Sequence, residues 1–154
     1  MSTITLNSIN AAFEELSHKL GPGFRLDENG SCLLTYKNDI PLVFHFVEEG
    51  GRLILGSELI GDLEGKPAEI WLQILGMDWL GFGSHGCALS PDYEAGNITI
   101  WRDAKLETVS GPQLESALEL FLDDVLSARQ ALSELDLGGT EATTIGSSTE
   151  VIRA

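Results

Sequence analysis

Residues 24–60 read FRLDENGSCLLTYKNDIPLVFHFVEEGGRLILGSELI, and the punctuation of this stretch decides the architecture. Asn29-Gly30 is a hairpin-type dipeptide, because both turn positions then take φ > 0 and these two residues tolerate it. Asn38-Asp39 and Gly50-Gly51 mark two further reversals. Between them Ser31–Lys37, Ile40–Glu48 and Arg52–Ile60 read as short antiparallel strands. In the middle strand Leu42, Phe44 and Phe46 point one way, while Val43, His45 and Val47 point the other. Both faces are largely apolar, and one layer of helices hides only one of them. The second face needs a partner.

Upstream, Leu6, Ile9, Phe13, Leu16 and Leu20 recur at helical spacing, with Asn7 or Ser8 as the expected cap and Gly21-Pro22 as the stop. Downstream of the meander, Pro67 suits a first helical position and Ala68–Leu75 follows, apolar nearly all round through Ile70, Trp71, Leu72, Ile74 and Leu75. Such a helix is buried on more than one side, which in a small domain points to a subunit interface. Met77–Ser84 reads as irregular. Gly86–Ser90 and Asn97–Arg102 read as a second hairpin, with Pro91-Asp92 and Gly96 in its connection. In the last strand Ile98 and Ile100 share one face, and Thr99 and Trp101 the other. Ser110 with Gln113 forms a capping-box pattern ahead of a long amphipathic helix through Leu114, Leu118, Phe121, Val125, Ala128 and Leu132. Glu115, Glu119, Asp123 and Asp124 are expected on its wet side.

The fold class is therefore α+β, a twisted antiparallel sheet of about five strands with three helices in the order α-β-β-β-α-β-β-α. Residues 1–137 form a single domain. From Gly138 the composition falls to Gly, Ser, Thr and Glu, and 138–154 is expected to be a flexible tail.

The 154-residue chain carries 24 acidic and 9 basic residues, a net charge of −15. That balance disfavours phosphate backbones and anionic lipid, so neither nucleic acid nor membrane is an expected partner. No basic region followed by an apolar run suggests a signal peptide, and the run at Leu42–Val47 is far too short to span a bilayer. The expected location is cytoplasmic, with Cys32 and Cys87 as unpaired thiols.

Chemistry is sparse. His18, His45 and His85 lie in different elements, and His85-Gly86-Cys87 supplies two ligands where zinc wants three or four. Asp27-Glu28-Asn29-Gly30 lacks the alternating oxygens and closing Glu of a calcium loop. No nucleophile elbow or phosphate loop is present. The expectation is no enzyme, no cofactor and no metal, but a binding module whose surplus apolar surface and exposed sheet edge receive a protein.

Leu26-Asp27-Glu28-Asn29-Gly30-Ser31-Cys32-Leu33-Leu34 after an amphipathic helix resembles the first hairpin of class I type III secretion chaperones, the Tir-chaperone-like family. The resemblance continues through Leu53-Ile54-Leu55, the helix at Ala68–Leu75, the strand Gly86-Cys87-Ala88-Leu89-Ser90 and the acidic last helix, about residues 6 to 133. It implies a bacterial virulence-associated homodimer that holds the N-terminal chaperone-binding segment of a secreted effector in extended form and presents it to a secretion ATPase. It also implies dimerisation through Ile70, Trp71, Leu72 and Leu75, and effector docking on a hydrophobic patch of Ile9, Phe13, Leu16, Leu34, Tyr36 and Phe44. Met77-Asp78-Trp79 and Ser90 depart from the family pattern, as does the long tail. The alternatives are an adaptor of the same fold that sequesters a secretion regulator, or a small-molecule-binding domain with a deep polar pocket.

Overall fold

A computed structural model describes residues 3–21, 24–36, 39–81, 87–104, 106, 109–135 and 137. The meander forms within one residue of the expected limits, as β1 Ser31–Tyr36, β2 Ile40–Val47 and β3 Arg52–Ile60. The second hairpin supplies β4 Ala88–Asp92 and β5 Asn97–Ala104. All pairs are antiparallel in the order β1-β2-β3-β5-β4, so β1 and β4 are the sheet edges.

The turns differ from expectation in instructive ways. At Asn29-Gly30 only Gly30 takes a positive φ, +76°, and the turn leads into β1 instead of joining two strands. It is built by Asp27, whose N–H donates to the Ser31 carbonyl at 2.8 Å and whose carboxylate accepts the N–H groups of Asn29 and Ser31 at 2.9 Å. A Cβ at position 30 would stand 2.9 Å from the Phe46 carbonyl oxygen, so space as well as φ demands glycine there. Asn38 lies outside the described residues; Asp39 N–H donates to the Tyr36 carbonyl at 3.1 Å. Pro91-Asp92 belongs to β4, at the sheet edge where a missing N–H costs no ladder bond. The reversal follows it, with the Asp92 carboxylate accepting from Glu94 and Ala95 N–H.

The helices are α1 Leu6–Glu15, α2 Ser17–Leu20, α3 Ala68–Leu75 and α4 Gly111–Ser133, with a 3-10 segment at Gly76–Gly81. The first stripe is thus two helices, because Leu16 leaves helical geometry at φ −93°, ψ 4°. Its cap is Thr5, not Asn7 or Ser8. Thr5 Oγ1 accepts Ser8 N–H at 3.2 Å while Ser8 Oγ accepts Thr5 N–H at 2.9 Å, a reciprocal box. Pro67 stands one position earlier than expected, as the cap of α3. Ser110 caps α4 through Gln113 N–H at 3.4 Å. A Cβ on Gly111 would come 2.7 Å from Glu15 Cβ, so the close approach of α4 to the end of α1 depends on that glycine.

The core lies between one face of the sheet and these helices. Leu42, Phe44, Phe46, Leu53, Leu55, Ile98 and Ile100 meet Ile9, Phe13, Leu114, Phe121 and Val125 there, and α3 contributes Trp71 and Ile74. Phe13, Phe24 and Phe44 pack edge to face, with centroids 4.9–5.6 Å apart. Asn10, buried on α1, holds Leu26 as a strand neighbour would: its Nδ2 donates to the Leu26 carbonyl and its Oδ1 accepts Leu26 N–H at 2.8 Å. Asp124 corrects the expected wet face of α4. It is buried, and its carboxylate receives Arg102 Nη2 at 2.8 Å.

Candidate functional site

The face of the sheet that carries no core is organised by register. Leu33, Val43, Gly56, Trp101 and Ala88 fall opposite one another in a single row across the five strands. Leu33 is 71% exposed and Val43 43%, and Gly56 leaves a notch between Val43 and Trp101. The ring of Trp101 is pinned by its Nε1 donating to Ser90 Oγ at 2.8 Å. Around the row stand short cross-strand polar pairs: Ser31 Oγ with His45 Nδ1 at 2.7 Å, Arg52 Nε with Asp103 Oδ2 at 2.6 Å, and Asn97 Nδ2 with Glu58 Oε2 at 3.2 Å. An apolar strip bordered by cross-strand polar pairs suits protein contact better than small-molecule chemistry.

The β1 edge adds directional chemistry. Phe46 N–H donates to the Gly30 carbonyl at 2.7 Å, which fixes the phase of the β1–β2 ladder. In an antiparallel pair, alternate residues turn their main-chain groups to the neighbour. Gly30, Cys32, Leu34 and Tyr36 therefore face β2, while Ser31, Leu33 and Thr35 face outward. Asp27 already occupies both outward groups of Ser31. The N–H of Leu33 and both groups of Thr35 remain open, the Leu33 carbonyl accepting only the weak Cys32 Sγ donor at 3.8 Å, and the Asp27 turn closes the edge at one end.

The expected effector-patch residues divide. Ile9, Phe13, Leu16 and Phe44 are each 3% exposed or less and form the chain's own core, so the patch reading does not hold for them. Truncating a buried Phe to Ala costs about 3–5 kcal/mol, so α1 is no detachable surface. Leu34 and Tyr36 are half-buried on β1, packed against the core margin. Of the expected interface residues, Trp71 is mostly buried within its own chain and meets Tyr93 in a tilted ring contact, centroids 4.8 Å apart. Ile70 and Leu75 are half-buried, and Leu72 is 66% exposed. Ile70 also lines a trough of about 620 Å³ with Ile60, Leu63, Pro67 and Leu137. Leu33, Val43, Thr35 and Trp101 were not singled out as a site from sequence. The signal for them lay in strand alternation once a register is known.

Neither Cys32 nor Cys87 forms a disulfide, and burial pushes the Cys87 thiol up to about 11 despite the opposing pull of Arg102. Its Sγ lies 3.7 Å from Asp124 Oδ2. Among the described residues no group of three or more His, Cys, Asp or Glu could hold a metal ion, and His85-Gly86 lies outside them. No helix among the described residues is long and apolar enough to cross a membrane.

Comparison with known proteins agrees with this geometry. Several solved structures share the fold. The ExsC–ExsE complex matches at 20% identity and TM-score 0.63, over 81% of this chain and 93% of that one. The HopA1–SchA chaperone–effector complex matches at 19% and 0.57, over 82% and 98%. The Yersinia pestis type III secretion chaperone SycH, solved with a stable fragment of YscM2, matches at 20% and 0.53, over 78% and 98%. No curated protein sequence matches. The model of the Tir chaperone protein (CesT) family matches residues 12–129, and the chain belongs to that family.

Proposed function

We propose that this protein is a type III secretion chaperone that binds the N-terminal segment of a secreted effector in extended form and keeps it secretion-competent. The observation that carries the reading is the open β1 edge, where Leu33 and Thr35 offer main-chain pairing beside an exposed apolar row. Membership of a chaperone family supports it, as do structural relatives that include a chaperone–effector complex. A strand added at an edge gains affinity from backbone hydrogen bonds and selectivity from alternate side chains. Ordering an unfolded segment costs about 2–5 kcal/mol, so the contact must be broad, and the row from Leu33 to Ala88 extends it across the sheet.

In this reading the action is passive. The chain works in the bacterial cytoplasm as a homodimer joined through α3, with Leu72 as the exposed anchor and Ile70 and Leu75 flanking it. Residues 1–137 are the working domain, 138–154 a tail, and presentation to the secretion ATPase follows loading. The net charge of −15 keeps the loaded complex dispersed and favours basic clients. Co-expression with candidate secreted proteins tests the proposal. A fragment of about the first hundred residues, lacking the effector's folded domain, should co-purify; recovery only of intact folded proteins would contradict it.

A further inference from the structure

α2 and α4 meet beside the end of β1 in a small groove of about 40 Å³, whose apolar lining is Leu16, Tyr36, Leu118 and Leu122. Glu115 and Glu119 also line it, one turn apart on α4, where like charges repel. The Lys19 ammonium lies between them, hydrogen-bonded to Glu115 and 3.6 Å from Glu119 Oε1. The Glu115 bond holds the lysine proton more tightly than usual, against the opposing effect of desolvation. Among the described residues one cation faces two carboxylates there, which leaves a negative charge over. Its complement is a side chain with an aliphatic stem and a cationic head.

We infer that Lys19 is an intramolecular stand-in for a basic residue of the bound segment, and that this groove selects clients carrying arginine or lysine where the strand passes Tyr36. The inference rests on the chaperone reading, because it needs a strand laid along β1. Leu34 and Tyr36 project from β1 to the helix-covered face, so alternate side chains of a strand paired with Leu33 and Thr35 fall on that same face. An arriving guanidinium presents a planar fork of donors able to serve both carboxylates, which an ammonium does less well. Displacing Lys19 costs little, since water screens an exposed ion pair and leaves it nearly neutral in stability.

The test is an amide-shift titration of the ¹⁵N-labelled full-length protein with acetyl-Val-Arg-Val-Arg-Val-amide, and with the same peptide carrying citrulline for both arginines. The arginine peptide should bind about three- to fivefold more tightly, the factor that an exposed ion pair supports, with shifts at Lys19, Tyr36 and Glu119. Lys19→Met retains the stem and removes the competing charge; it should raise affinity for the arginine peptide and leave the citrulline peptide unchanged. Glu115→Gln combined with Glu119→Gln should abolish the preference. Equal binding of the two peptides, or weaker arginine binding by Lys19→Met, overturns the inference while strand docking at β1 stands. If neither peptide shifts a β1 amide, the docking reading fails together with it.

Discussion

Arg102 of β5 and Asp124 of α4 form an ion pair, Nη2 to Oδ2 2.8 Å, in the seam where the last helix crosses the sheet. Their side chains are 23% and 12% exposed, so water screens them poorly. Removing one partner of such a pair leaves the other charge stranded, at a cost of about 3 kcal/mol. Asp124→Ala should therefore lower stability by about that amount in urea unfolding. Asp124→Asn, which keeps an acceptor, should cost less. Equal stability of Asp124→Ala and the parent would show that the seam is wetter than its geometry implies.

Cys87 sits against this pair and gives the seam a pH signature. Its thiol is raised to about 11 in the folded chain, mainly by burial, from an ordinary value of 9.0. Between these values the unfolded chain has lost a proton that the folded chain still holds, so stability falls as pH rises. The contribution is complete below pH 9 and lost on passing about 11. Melting temperature should decline across this window, and Cys87→Ala should flatten the decline. An identical slope in the variant would remove Cys87 as its source.

Asn10 and Leu26 provide a second stability test. The side-chain amide satisfies both main-chain groups of Leu26 in a buried setting, as a neighbouring strand would. Asn10→Ala leaves two buried backbone groups unpaired, each costing about 1–3 kcal/mol. The loss should exceed that of Ser133→Ala, an exposed helix-end control, in thermal melts.

Thr35 separates binding from folding. Its main-chain N–H points away from β2, so Thr35→Pro removes one open rung without breaking the β1–β2 ladder. The variant should melt within a few degrees of the parent yet lose most co-purifying client. Thr35→Ala should behave as the parent in both respects.

In the proposed dimer, Leu72 and Trp71 divide interface from core on one short helix. Leu72 is 66% exposed, so Leu72→Glu should leave the fold intact and shift sedimentation toward monomer. Trp71→Glu places a charge beside Tyr93 in a mostly buried site and should unfold the chain instead. A dimer unchanged by Leu72→Glu would remove this face of α3 from the interface.

Much of the fold was legible because its strands are punctuated by Gly and Asn and its helices keep period 3.6. β2, β3 and α3 fall where alternation, the Gly50-Gly51 turn and Pro67 place them. Capping was harder: Asn7 and Ser8 were the expected caps, and the reciprocal bonds with Ser8 give the role to Thr5. Asp124 was misplaced because its position borders the apolar stripe, and its partner Arg102 is remote in sequence. The site was the least legible part. An apolar stripe such as Ile9, Phe13 and Leu16 looks the same whether it faces a core or a client. The row from Leu33 to Ala88 exists only through the pairing of five strands.

Amide hydrogen exchange on the protein, free and loaded with a co-expressed effector N-terminal fragment, tests the central claim most directly. Loading should slow exchange at Leu33 and Thr35, the outward rungs of β1, while Ser31, already bonded to the Asp27 carboxylate, changes little. Unaltered exchange at Leu33 and Thr35 in a stable complex would contradict the account.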